Sequence, residues 1–150
     1  MAVNNIIKRI QNIMRQDAGI NGDAQRIEQM TWMFFLKVYD TQEETWEYKD
    51  ENYKSIIPED LRWRKWAVDE KDGEALTGEA LLSFVNEKLF PTLKNLPIDA
   101  NTPRAKSIVL ETFADLNQYM KNGTLLRQVV NIVNEIEFDD ADDRHTFGDI

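Results

Sequence analysis

The chain has no cysteine and one histidine, His145. Without thiols there is neither a disulfide framework nor a thiolate metal site. A single imidazole leaves no Cys/His catalytic pair and no zinc centre of the usual donor set. A serine nucleophile would have to use His145, and Ser55, Ser83 and Ser107 lie in no nucleophile-elbow context. The six glycines are Gly19, Gly22, Gly73, Gly78, Gly123 and Gly148. No two are two apart, so a G-x-G phosphate or dinucleotide loop is excluded. The four prolines (Pro58, Pro91, Pro97, Pro103) are isolated, so no tetrapeptide with paired prolines exists.

Long apolar runs are also missing. No window approaches the roughly 18 uncharged apolar residues of a membrane span. The opening, MAVNNIIKRI, lacks the apolar stretch of a secretory signal. With the lack of cysteine, this makes the cytoplasm the expected compartment and a membrane partner unexpected. Positive charge is in the minority, with 18 basic against 27 acidic residues and a net charge of -9. Autonomous duplex-DNA binders are usually basic, because phosphate neutralisation dominates their affinity. The balance argues against DNA binding by the chain alone, while leaving room for a local basic edge within a larger assembly.

What is present is helical. The length of 150 residues fits one domain, and 42% hydrophobic residues can supply its core. Val3, Ile6, Ile7, Ile10, Ile13 and Met14 recur at helical spacing, predicting a first helix over Val3 to Arg15. Turn residues interrupt it from Asp17 to Gly22, and Asp23 is the expected N-cap of a second helix over Ala24 to Trp46. That helix is apolar almost all round in its centre, WMFFLKVY, as the buried helix of a bundle is. We read Phe34 and Val38, with Ile27, Met30 and Thr31, as its most apolar face. Trp32, Leu36 and Tyr39 occupy the opposite side, where burial within the domain is expected. Arg26, Gln29, Lys37 and Asp40 form a narrow polar stripe suited to a second packing surface. The acidic stretch from Thr41 to Glu51 reads as a solvated helix end.

Pro58 suits the first turn of a short helix reaching Trp66, and Asp69 to Gly73 reads as a loop. A helix capped near Thr77 carries Leu81, Leu82, Val85, Leu89, Leu93 and Leu96. Pro91 lies inside that stripe and predicts a kink, or a break and restart. A fifth helix carries Val109, Phe113, Leu116 and Met120, with Asn122 and Gly123 as its terminating cap. The last begins at Thr124 and presents Leu125, Leu126, Val129, Val130, Ile132, Val133 and Ile136. The expected fold is therefore all-α, a single bundle-like domain of five or six amphipathic helices.

Two segments carry charge of possible chemical meaning. The run from Asp139 to Asp143 lacks the glycine and closing glutamate of a calcium-binding EF-hand loop, and reads as a solvated acidic turn. The segment from Arg62 to Trp66, RWRKW, runs against the overall charge by interleaving three cations with two tryptophans. Arg62, Arg64 and Lys65 could contact DNA phosphates beside an aromatic neighbour. The net charge favours the other reading, a surface helix whose tryptophans anchor it to the core.

Several blocks, in order and at similar spacing, resemble one family. They are Asn21 to Asp40 (NGDAQRIEQMTWMFFLKVYD), Thr77 to Leu82 (TGEALL) with Leu89, Phe90, Pro91 and Leu96, Asn122 to Val130 (NGTLLRQVV), and Asp143 to Ile150 (DRHTFGDI). Trp63 before Trp66 also fits. Together they resemble the N-terminal helical domain of the modification (M) subunit of type I restriction-modification systems. The resemblance implies a parent that is an adenine-N6 DNA methyltransferase using S-adenosylmethionine, with the catalytic domain following this one. The glycine-containing cofactor motif and the Asn-Pro-Pro-aromatic motif of that domain are missing here, so no catalytic or cofactor-binding residue can be carried over. The implied role of residues 1–150 is to assemble the M subunits with the specificity subunit and to close around DNA. The end of the sequence reads as a chain cut within such a parent. The alternative is an independent helical adaptor or regulator, distinguished by whether the reading frame continues past Ile150 into the catalytic motif.

Overall fold

The computed structural model describes residues 3–69 and 75–137. The acidic run after Asp139, His145 and the block from Asp143 to Ile150 lie outside the described residues. The described elements are helices α1 (Val3–Met14), α2 (Asp23–Lys49), α3 (Trp63–Trp66), α4 (Gly78–Ser83), α5 (Phe90–Lys94), α6 (Arg104–Ala114) and α7 (Gly123–Val133), with a 3-10 turn over Glu59–Leu61. No strand occurs among the described residues, and the fold is all-α.

Helix α7 is the hub. It packs against α1, α2 and α4. Leu126, Val129, Val130 and Val133, spaced to share one face, are fully buried. Ile6, Ile10 and Met14 of α1, four residues apart, are buried as well. Each such side chain contributes about 1.5–3 kcal/mol by leaving water. Arg9 clamps the outside of this pair, with two hydrogen bonds of 2.9 and 3.0 Å to Glu135.

Across the rest of the core runs a relay of aromatic contacts. Phe84 meets Trp66, Trp66 stacks on Trp32, and Trp32 meets the edge of Phe90 at 5.1 Å. Phe90 meets Phe113, and Phe113 meets Phe35. Phe35, Tyr39, Trp46 and Tyr53 then follow at 5.7 Å between successive rings. These separations fall in the range where aromatic pairs add to area burial. The buried indole N–H of Trp32 has no hydrogen-bond partner.

Four local expectations are corrected. Pro91 does not break the fourth helix. Helical residues run on from 78 to 94, and Phe84–Leu89 widens into a π-helical turn between α4 and α5. The N–H of Phe90 bonds Val85 five residues back. This wider spacing accommodates a ring that cannot donate four residues back. Helix α6 stops at Ala114, and Asn122 starts α7 instead of ending α6: its side chain accepts from the Leu125 N–H at 2.9 Å. Gly123 is needed for close approach, because a Cβ there would lie 1.8 Å from the carbonyl oxygen of Gly78. At α2, Gly22 holds the cap position at φ 88 and Asp23 is the first helical residue.

The fourth correction, on α2, is partial. Trp32, Leu36 and Tyr39 are buried as expected, at 0%, 1% and 5% exposure, and Met30 of the other face is buried too. Phe34 is buried at 8%, but Ile27 and Val38 are 44% and 38% exposed. The other helices cover the face that carries the large rings and leave the Ile27–Thr31–Val38 face outward.

Candidate functional site

The segment from Arg62 to Trp66 is built by an interruption. The helix expected from Pro58 to Trp66 divides at Arg62, whose backbone is extended at φ -66 and ψ 140. The turn before it and α3 after it are each fixed by an indole. Trp66 donates to the carbonyl of Leu61 at 3.0 Å, and Trp63 donates to the Asn134 side chain at 2.8 Å. Both tryptophans are buried, so they anchor the segment to the core.

The arginines turn toward α2. Asp40, Glu43 and Glu47 are spaced three and four residues apart, which puts three carboxylates on one side of that helix. Arg62, with only 8% of its side chain exposed, lies 3.5 Å from Glu43, 3.3 Å from Glu59 and 4.0 Å from Asp40, and bonds Glu47. Arg64 reaches Asp40 at 2.9 Å and Glu47 at 3.0 Å. Glu43 is fully buried and accepts a 2.6 Å hydrogen bond from the Tyr53 hydroxyl. The expected solvated end of α2 is thus half an ion cluster. Burial alone would lower Arg62, but the hydrogen bond to Glu47 and the charge of Glu43 hold it above its ordinary value. The partners at Arg64 respond in the same direction: Arg64 is raised by Asp40 and Glu47 against burial, and Asp40 is raised because its burial outweighs the Arg64 bond. Burial dominates at Asp40, whose side chain is 9% exposed against 26% for Arg64.

Lys65 differs. It is half exposed and, among the described residues, meets Glu59 alone at 3.5 Å, itself 68% exposed. Such a pair contributes about 0–1 kcal/mol and exchanges readily with solvent. Beside it opens a cleft of about 410 Å³ with Trp66, Val68, Leu76 and Phe84 among its walls, and Asp60 and Lys88, which bond each other, on its rim. Of the three sequence candidates, the structure draws Arg62 and Arg64 together against carboxylates and keeps Lys65 at the surface.

The polar stripe on α2 does form a packing surface. Gln29 accepts from the Tyr119 N–H at 2.8 Å and donates to Gln118 at 3.0 Å. The ammonium of Lys37 donates to the carbonyls of Val133, Asn134 and Ile136 at 3.0, 2.8 and 2.6 Å, capping the C-terminus of α7. Burial lowers Lys37 to about 8, opposed by the charge of Glu137. Lys94 caps α6 in the same way, through Phe113, Ala114 and Leu116.

The spacing assigns Arg127 to the polar face of α7 with Asn131, Asn134 and Glu135, yet it is buried: it donates to the carbonyls of Ala67 and Leu76, and so ties the end of α3 to the start of α4. No group of three His, Asp or Glu residues among those described could hold a metal ion, and no described helix is long and apolar enough to cross a membrane.

Comparison with known proteins points one way. Residues 3–133 match the model of the HsdM N-terminal domain. The whole chain is 53% identical, over 152 aligned residues, to the type I restriction enzyme EcoEI methylase subunit of Escherichia coli, and spans 30% of that protein. A crystal structure of a modification subunit of a putative type I restriction enzyme from Vibrio vulnificus YJ016 superposes with a TM-score of 0.79. It is 31% identical, covering 95% of this chain and 32% of that one. A second solved chain gives a TM-score of 0.78 at 33% identity, over 94% of this chain and 27% of its own. It comes from work on the structural basis underlying complex assembly and conformational transition of the type I R-M system.

Proposed function

Because the chain belongs to the HsdM N-terminal domain family, we propose that residues 1–150 are the leading, non-catalytic assembly domain of a type I modification subunit. The observation that carries this is coverage: the match embraces the whole closed helical fold, yet that fold is only 30% of a methylase subunit. The full-length subunit would methylate adenine N6 in DNA with S-adenosylmethionine, bound in the catalytic domain that follows. The glycine and proline positions support a separate location for that chemistry, since this segment has neither the cofactor loop nor the paired prolines. The partners are the specificity subunit, a second modification subunit and the DNA the complex encloses, in the cytoplasm.

The domain's contribution to DNA contact runs through the edge of Arg62, Arg64 and Lys65. Lys65 is the residue that meets phosphate, because its one partner among the described residues is exposed and easily exchanged. Arg62 and Arg64, held by Asp40, Glu43 and Glu47, set the shape of that edge.

Deleting residues 1–150 from the full-length subunit tests the assembly role. A pull-down should recover less specificity subunit, and DNA affinity of the reconstituted complex should fall. Recovery and affinity both matching the intact complex would refute it. Substituting Lys65→Ala in the intact complex should reduce the salt slope of DNA binding by about one phosphate's worth; an unchanged slope removes Lys65 from the contact.

A further inference from the structure

The edge that carries Lys65 has a second exposed cation, brought there by the fold from another element. Lys88 belongs to the π-helical turn over Phe84–Leu89, and its ammonium lies 6.0 Å from the centre of the Phe84 ring. Lys65 and Lys88 line the same cleft, with side chains 50% and 55% exposed.

Each lysine is answered by a carboxylate from one short turn. Glu59 reaches Lys65 at 3.5 Å, and Asp60, the next residue, bonds Lys88. Successive residues of a 3-10 turn point about 120° apart, so the turn extends one carboxylate toward each ammonium. The backbone of the turn is fixed: Leu61 is 1% exposed and its carbonyl holds the Trp66 indole at 3.0 Å. The two carboxylates stand in water, at 68% and 58% exposure. Ion pairs this exposed contribute little and break readily. Arg62 and Arg64 cannot trade partners in that way. The carboxylates beside them, Glu43 and Asp40, are 0% and 9% exposed, and parting from them would strand a buried charge.

We propose that Lys88 is a second DNA-phosphate contact of this edge, beside Lys65, and that Glu59 and Asp60 hold the two ammoniums in place until phosphates displace them. Phosphates on one strand then stand where two neighbouring carboxylates stood, and each lysine keeps a countercharge. Lysine suits the exchange, because it is a compact point charge that makes no demand for planar geometry. The inference rests on reading this edge as the domain's contact with DNA.

The salt dependence of DNA binding by the intact complex tests it. Lys88→Gln keeps much of the stem over Phe84 and removes the charge. It should reduce the salt slope by about one phosphate's worth, and its combination with Lys65→Ala by about two. Asp60→Asn should tighten DNA binding several-fold, and most of that gain should vanish when Lys88→Gln is added. A slope reduced by Lys65→Ala and untouched by Lys88→Gln overturns the inference and leaves the reading of the edge standing. A slope untouched by either change overturns both. A gain from Asp60→Asn that persists in full beside Lys88→Gln also overturns the inference, because Asp60 would then act by repelling DNA and not by holding Lys88. Loss of the specificity subunit from a pull-down with Lys88→Gln, at unchanged slope, overturns it as well and marks Lys88 as a protein contact.

Discussion

The two sides of α2 differ less in sequence than in fate. One side carries Trp32, Leu36 and Tyr39, the other Ile27, Phe34 and Val38, and either set would serve as a core. The first is almost fully buried, whereas the second keeps two of its three members near 40% exposed. The inner side is tied into rings on other elements. Trp32 meets Trp66 and Phe90, and Tyr39 meets Phe35 and Trp46, so the inner side has matching rings on α3, α5 and its own next turns. Hydrophobicity marks a helix as central, but the volume and shape of what faces it decide which side is inside.

The sharpest way to break this comparison is Trp32→Ala. It removes the ring that links the Trp66 and Phe90 contacts from a site with no exposure. A loss of about 3–5 kcal/mol is expected, as for other large-to-small changes in closed cores. Denaturant unfolding reads it directly, and a midpoint close to wild type would show that the relay is not the core.

Phe34→Ala should fall between the two sides. Phe34 is buried but borders the exposed stripe, so neighbouring chains and water can partly fill the gap it leaves. A loss of about 2–3 kcal/mol is expected, below that of Trp32. A cost equal to or above that of Trp32→Ala would invert the assignment of the faces.

How much of this was legible follows from the same residues. The helices α1 and α7 were readable because their apolar residues keep to one face, as Ile6, Ile10 and Met14 do. On α2 the burial of Trp32, Leu36 and Tyr39 was legible, but the exposure of Ile27 and Val38 was not, because a helix apolar all round has no periodicity to show which side stays outward. The Asp40, Glu43 and Glu47 cluster was readable in principle from its spacing, yet composition alone makes such a stretch look solvated. Only the tertiary position of Arg62 and Arg64 turns it inward. Asn122 and Gly123 satisfy the rules for ending one helix and for starting the next. The close contact of Gly123 with Gly78, forty-five residues earlier, decides between them.

The flank and the inner side of α2 should also respond oppositely to alkali. Burial lowers Lys37 to about 8 in the fold, against 10.5 for the free side chain. Between those values the unfolded chain holds the proton and the folded chain releases it, so stability rises with pH across that window. Burial first, then the charge of Glu43, pushes Tyr39 up to about 12 from 10.0. Its contribution is complete below pH 10 and is lost as pH rises toward 12. Urea midpoints should therefore climb modestly from pH 8 to 10 and fall above it. Lys37→Met should flatten the climb, and Tyr39→Phe should soften the fall. A climb that persists in Lys37→Met would assign it to another group.

The smallest effect belongs to the exposed members of the outer stripe, Ile27 and Val38. Ile27→Ser and Val38→Ser each remove an aliphatic side chain that is already two-fifths in water. Neither side chain closes a ring contact, and the hydroxyl of Thr31 keeps its bond to the carbonyl of residue 27 whatever side chain stands there. In the isolated chain each change should shift stability by no more than about 0.5 kcal/mol, the range for surface positions outside special features. The double variant should be nearly additive, because the two residues lie three turns of helix apart. A penalty of about 2 kcal/mol or more in the isolated chain would place Ile27 and Val38 among the residues that hold this domain closed. A double variant that stays within that bound shows that the fold does not depend on Ile27 and Val38.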